Sequence, residues 1–344
     1  MVVTFQNKRM QYTIKEVSNS DYKKLAHFLS ECPDDKLSSI EWEKRLYYWW
    51  NLNPAYSNNH IRGLILLYGE NIVGFAGNIP TKMIWDGEEK IVINGTTWRV
   101  LSEHRKQSME LWFKHRELTS DYIYFNTTPN EFVKVLLRKL NFYEYRITKY
   151  WFYYFGCSQT LIHYPIVNIG IFLFKLLERG IVNSLNLFHR DVVLKNDISP
   201  LEEEIIDELW NKHKNDFLFT NIRNSSYIKW IKKTKQVLYV SYKKEIIGYI
   251  ILRIDDKKKS IILVDYWSKD LVCLAKPIII NILKKYNNMN VIIPSLNIQF
   301  EKAAKNLLMI KRKCPKVGFI YNAKCKPIDP DKSFLCMLQG DYGM

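Results

Sequence analysis

The chain has 344 residues, 47% of them apolar and 25% charged, which excludes a disordered chain and exceeds one core of ordinary size, so two domains are expected. Its formal net charge of +16 favours anionic partners such as nucleotides or coenzyme A. The basic residues are dispersed: the runs Lys257–Lys259 and Lys311–Lys313 read as solvated turns, which argues against nucleic acid as a partner.

Cys32, Cys157, Cys273, Cys314, Cys325 and Cys336 form no Cys-x-x-Cys pair and have no matching His spacing. No metal is therefore expected, and the cysteines read as reduced thiols of a cytoplasmic protein. The N-terminus has no apolar signal region. The most apolar stretch, 162–177, contains His163, Pro165, Asn168 and Lys175 and is too short to span a bilayer. It reads as a linker helix, with peripheral contact at the inner face of a membrane as the second reading.

In chain order, Tyr12–Val17 alternates as a strand, and Leu25, Phe28 and Leu29 have helical spacing after the capping residues Ser18–Asp21. A second helix is predicted over Glu41–Trp50, then a hairpin of Gly63–Tyr68 and Ile72–Gly77, then a strand pair, Met83–Asp86 and Lys90–Leu101. A helix from Glu103 to Leu118, a strand at Tyr122–Phe125, a helix over Glu131–Leu140 and a strand over Tyr145–Phe155 follow.

The second half repeats this order. Val192–Leu194 is a strand, and Ser199-Pro-Leu-Glu202 is a capping box that opens a helix to about Lys212. Tyr227–Trp230 stands where Tyr47–Trp50 stood, and Val237–Tyr242 with Ile246–Arg253 forms the hairpin again. Asn71-Ile-Val-Gly-Phe75 and Glu245-Ile-Ile-Gly-Tyr249 match at an offset of 174 residues. Strand Ser260–Trp267, helix Cys273–Lys285, strand Val291–Ile293 and helix Phe300–Leu308 complete the copy. A period this long signals domain duplication. The expected domains are 1–156 and 191–344, joined by a linker helix region in 157–190.

A strand, two helices, an antiparallel run, helix, strand, helix and strand is an order that resembles the Gcn5-related N-acetyltransferase (GNAT) fold. The resemblance implies an α/β protein with mixed sheets, built from two tandem GNAT-like domains. Glu70–Gly77 looks like the family's central hairpin, and Trp98–Ser108 looks like its Val-x-Pro-Glu-x-Arg-x-x-Gly coenzyme A motif. Asn130–Phe142 is similar to its closing helix, and Asn297–Met309 keeps much of that register. The tail Met337–Met344 resembles the endings of tandem GNAT-like proteins from bacterial surface-polysaccharide clusters.

Val100, Leu101, Arg105, Lys106, Gln107, Ser108 and Asn130 are the residues on which this resemblance puts acetyl-CoA or another acyl-CoA. The turn after Leu101 offers amides at a helix start for a pyrophosphate, and Arg105 adds a charge-assisted contact. The family's glycines are Lys106, Ser108 and Glu110 here, and its acid tyrosine on the closing helix is Leu137. The second copy's Trp267–Cys273 has no Arg-x-x-Gly pattern, so its expected role is to shape the substrate cleft.

Glu103 is the candidate base, against a plain helix-start carboxylate, and Asn126 is the candidate for orienting a water or the acceptor. Thr128, Trp50 and Asp265 are the substrate candidates; core packing for Trp50 and a partnered structural role for Asp265 are the bland readings. The function implied by the resemblance is acyl-CoA-dependent N-acyl transfer to an amino sugar, nucleotide-linked, in surface-polysaccharide synthesis. The alternatives are a FemX-like aminoacyl transferase of peptidoglycan synthesis and a binding protein whose copies have both lost coenzyme.

Overall fold

The structure, a computed structural model, describes residues 11–33, 36–127, 129–154, 191–322 and 327–338, with the backbone alone for 314–319. The expectations for Thr128, for the stretch 162–177 and for the tail beyond Leu338 lie outside these residues.

The first half runs β1 (Tyr12–Glu16), α1 (Tyr22–Ser30), α2 (Ser39–Trp50), β2 (Gly63–Tyr68), β3 (Asn71–Trp85), β4 (Glu88–Val100), α3 (Ser108–Leu118), β5 (Ile123–Asn126), α4 (Glu131–Lys139) and β6 (Tyr143–Tyr154). The second runs β7 (Val192–Lys195), α5 (Pro200–His213), β8 (Phe219–Asn221), α6 (Ser225–Ile231), β9 (Gln236–Tyr242), β10 (Glu245–Asp255), β11 (Ser260–Trp267), α7 (Lys269–Cys273), α8 (Ala275–Lys285), β12 (Asn290–Pro294), α9 (Ile298–Asn306), β13 (Ile310–Tyr321) and β14 (Ser333–Phe334). Local capping chemistry starts these helices. Ser38 and Glu41 close a capping box on α2, Ser199 and Glu202 do so on α5 with Pro200 behind the cap, and Asn130 and Asn224 cap α4 and α6.

The duplication is visible in a shared defect. Leu66 pairs with Gly74 and Leu67 with Ile72, which leaves Val73 bulged in β3. Ser241 pairs with Ile246 and Val240 with Gly248, which leaves Ile247 bulged in β10, at the same 174-residue offset.

The halves do not form separate sheets. One path runs β1-β2-β3-β4-β5-β13-β6-β12-β11-β10-β9-β7. Strand β13 of the second half pairs with β5 of the first, and β6 of the first pairs with β12 of the second. The two exchanged strands pair antiparallel with each other, from Ile310↔Tyr153 to Tyr321↔Tyr143. A sheet thus crosses the expected boundary near 156, and the halves exchange β6 and β13. The core follows suit. Tyr48 of α2 stacks on Trp230 of α6 at 4.9 Å, and the Trp230 indole donates to the Tyr48 carbonyl at 3.1 Å.

Two expectations are corrected. Lys311–Lys313 lie in β13, not in a turn; their exposed side chains gave a solvated pattern to a strand paired on both edges. Strand β3 is continuous from Asn71 to Trp85, where two strands were expected, because Pro80 is buried within it without ending the pairing to β4. Strands β8, β13 and β14 carry too little alternation to be read locally. Among the described residues no helix is long and apolar enough to cross a membrane.

Candidate functional site

Strands β4 and β5 run parallel from Val92↔Ile123 to Gly95↔Asn126, where their pairing stops. Beyond Gly95, β4 continues to Val100 bonded to β3 alone on its other side. Phe75 pairs with Arg99 and Gly77 with Thr96, so β4 carries an extra residue there, and Thr97 takes φ 52°. The splay and bulge open a cleft of ≈ 140 Å³ lined by Gly95, Trp98, Trp112, His115, Tyr124 and Asn126 among others. That is below the roughly 300 Å³ of an ordinary small-molecule pocket, so it suits a slender chain laid between the strands.

Its floor is polar and buried. A Cβ on Gly95 would stand 1.8 Å from the Tyr124 hydroxyl, so only glycine lets that hydroxyl cross β4. Fully buried His115 donates from Nε2 to Asn78 Oδ1 at 2.7 Å, and its Nδ1 and the Asn94 Oδ1 have no partner among the described residues. Burial pushes His115 down from its ordinary 6.5 to about 3. Between these values the unfolded chain holds a proton that the folded chain lacks, so the neutral ring's contribution is complete above 6.5 and is lost as pH falls. Stability should drop by about 1.4 kcal/mol per pH unit from this group through that window. Urea midpoints at pH 7 and pH 5 should show this slope in the wild type and a weaker one in His115→Gln.

The turn after β4 is a 3-10 stretch, Ser102–Gln107, that feeds into α3. Val100 pairs with Gly74, and the Leu101 amide donates to the Val73 carbonyl at 2.9 Å, which fixes where the turn begins. Glu103 is exposed, and its carboxylate accepts from its own backbone amide and, at 2.8 Å, from the Ser102 hydroxyl. Those bonds hold it below the usual carboxylate range, the opposite direction from a base poised near neutral pH. Arg105 and Lys106 are exposed beside it, and Gln107 and Ser108 are half-buried. His104 bonds the Tyr12 hydroxyl at 2.9 Å and packs on Tyr68, which ties the turn to β1 and β2.

Half-buried Asn126 and exposed Asn130 line the cleft; Asn130 also accepts from the Val133 amide as the α4 cap. Two candidates do not join them. Trp50 is fully buried, its indole donating to the Asn78 carbonyl at 2.7 Å and its ring packed on Tyr22 and Trp49. Asp265 is fully buried against Arg223, with Nε and Nη2 of the guanidinium reaching the carboxylate at 3.0–3.3 Å. Burial raises its pKa, and the guanidinium pulls against that rise. Both are core groups whose polar contacts are made within the protein.

The equivalent opening in the second half is filled. Strands β11 and β12 pair only from Ser260↔Asn290 to Ile262↔Ile292. Beyond that, Tyr266 packs on Phe300 at 4.6 Å and on Phe334 at 4.9 Å, and the Met337 amide bonds the Val264 carbonyl at 3.2 Å. The C-terminal segment closes over this copy.

A family model search and a search of curated proteins both give no match to this chain. Solved structures do resemble it. A GCN5-related N-acetyltransferase from Kribbella flavida superposes with a TM-score of 0.58 at 11% identity, over 91% of this chain and 71% of that one. A putative acetyltransferase from Pyrococcus horikoshii gives 0.53 at 12% identity over 98% of both chains. Saccharomyces cerevisiae N-myristoyltransferase with bound myristoyl-CoA gives 0.50 at 11% identity, over 96% and 89%. The chain has the tandem GCN5-related N-acetyltransferase fold. Within this fold the sequence pointed to the turn 100–108, but it missed Gly95, His115 and Tyr124. An isolated glycine inside a strand is the signal that was present for the first. Nothing local marks the other two.

The sequence also missed a charged groove. Lys232, Lys233 and Lys235 before β9 meet Arg253, Lys257 and Lys258 at the β10–β11 turn, around ≈ 750 Å³ that also borders Asp255 and Asp256. Burial, with Arg253 and Arg45 nearby, pushes Lys235 down to about 8.

Proposed function

We propose that this chain is an acyl-CoA-dependent N-acyltransferase acting on an amino sugar carried by a nucleotide, in the synthesis of a surface polysaccharide. The observation that carries the reading is the splay of β4 from β5 at a bulge, with its polar, glycine-floored cleft. An acyl-CoA fits these residues. Along Thr96–Val100 the backbone groups that face away from β3 can bond an amide-bearing arm, and Arg105 and Lys106 supply positive charge beside the turn. When bound, it supplies an activated acyl group. The chain's part is to position it, to exclude water and to present the acceptor at the Asn126 end.

Calorimetry with acetyl-CoA tests this directly; no heat of binding at millimolar ligand refutes it. Arg105→Glu reverses a charge beside the turn and should weaken binding about tenfold or more, read in the same titration. Unchanged affinity in a folded variant would remove the turn from the site.

A second reading, aminoacyl transfer from charged transfer RNA, is favoured by the basic groove. Its clustered lysine and arginine side chains suit a polyanion. Salt-dependent binding of transfer RNA, lost in Lys233→Glu with Lys257→Glu, separates the two readings.

A further inference from the structure

We propose that the basic groove of the second half is a binding site for phosphate groups in its own right, whichever acyl donor the cleft takes. The fold assembles it from separate segments. Gln236 pairs with Leu252, which sets Lys235, just before β9, beside Arg253 near the end of β10. The β10–β11 turn, closed where Asp255 pairs with Ser260, brings Lys257 and Lys258 to the same end. Helix α2 of the first half adds Arg45, which lies 5.3 Å from the Trp42 ring and whose charge acts on Lys235. The groove of ≈ 750 Å³ is lined by Lys232, Lys233, Lys235, Arg253, Lys257 and Lys258 against two carboxylates, Asp255 and Asp256.

The carboxylates around this cluster are engaged. Lys232 pairs with Asp197, and Asp255 accepts from the Lys258 amide at 3.0 Å and faces its ammonium at 3.7 Å. Glu41 of α2, whose charge meets Lys44 and Lys257, is held by the Ser38 amide at 2.8 Å and hydroxyl at 2.7 Å. Lys233, Lys235 and Lys257 have no ion-pair partner among the described residues. Lys235 is half-buried, and its ammonium reaches only the Thr234 carbonyl, at 3.4 Å. Burial, then Arg253 and Arg45, disfavour its charge, and a guanidinium cannot shed its proton, so the cost of the crowding falls on the lysine. A phosphate group answers this arrangement, because it presents several charged oxygens on one small centre to a guanidinium and to several ammonium groups at once. Its negative charge favours the ammonium form, so Lys235 titrates higher when phosphate is bound, and above pH 8 binding takes up a proton.

Calorimetry of the full chain with inorganic pyrophosphate at low salt tests this. Lys235→Met keeps the apolar stem and should weaken binding about tenfold at pH 7. Lys212→Met, at an exposed lysine in the last turn of α5, removes the same charge elsewhere and should change affinity less than about twofold. At pH 9 the wild-type lysine has given up its proton, so the gap between wild type and Lys235→Met should narrow to about twofold or less. Uridine diphosphate and single-stranded oligonucleotides of increasing length are the further arms. Tighter binding of the diphosphate than of pyrophosphate supports the site and identifies a nucleotide as the source; affinity that climbs with oligonucleotide length supports it and identifies a nucleic-acid backbone. No pyrophosphate binding at millimolar concentration, or equal affinities of wild type and Lys235→Met at pH 7, overturns the assignment. Loss of binding in Arg105→Glu in place of Lys235→Met overturns it as well, by moving the phosphate to the turn beside the cleft. Failure in this titration leaves the acyl-CoA reading standing, because pyrophosphate carries no acyl group.

Discussion

Asp265→Ala is expected to destabilise the protein by about 3–5 kcal/mol, the largest loss from any single side chain outside the aromatic core. The reason is the charge that it leaves behind. Arg223 is fully buried and donates through Nε and Nη2 to Asp265, through Nη1 to Thr220 Oγ1, and to the Phe334 carbonyl. Without the carboxylate, a guanidinium remains in the core among Trp267 and Phe334 with no anion facing it. The same residues tie the C-terminal segment to β8 and β11, because Thr220 Oγ1 also donates to the Phe334 carbonyl and the Cys336 amide to Asn221 Oδ1. Guanidinium-induced unfolding should therefore show a lower midpoint for Asp265→Ala and a smaller loss for Asp265→Asn, which keeps an acceptor. The double variant Arg223→Met with Asp265→Leu, which removes both charges, should recover most of the stability. Equal stability of Asp265→Ala and wild type would mean that the pair is not buried as described.

Gly248→Ala should cost about 3 kcal/mol or more, while Gly74→Ala at the equivalent point of the repeat should cost about 1 kcal/mol. The two glycines match in sequence and in bulge position, yet their surroundings differ. Gly248 has φ 151°, and a Cβ there would stand 2.2 Å from the Trp267 carbonyl oxygen, a backbone atom that cannot step aside. Gly74 has no positive φ, and its Cβ would meet the Val100 side chain at 3.0 Å and Leu66 Cβ at 3.2 Å. A side chain can shift by a few tenths of an ångström; a paired strand cannot. Urea midpoints of the two variants decide the matter, and equal losses would show that the second copy's strain is not there.

By itself the sequence determined most of the elements and their duplication. Capping residues are local donors and acceptors, so Asn130 and Ser199 mark helix starts without help from the rest of the chain. The hairpin around Gly74 and its copy around Gly248 rest on alternation and turn chemistry, which are also local. Tertiary structure decided the rest. Which sheet β6 and β13 join depends on partners about 140 residues or more away in the sequence, Val291–Pro294 for one and Phe125–Asn126 for the other. The turn 100–108 was legible because it is contiguous. The cleft floor was not, because Gly95, His115 and Tyr124 come from three elements, and a tyrosine in an apolar strand reads as core until the strand beside it is known to lack a side chain. Trp50 and Asp265 show the converse. Aromatic and acidic residues look like substrate contacts in a linear chain, and only burial against Asn78 and Arg223 reveals that their bonding is already complete.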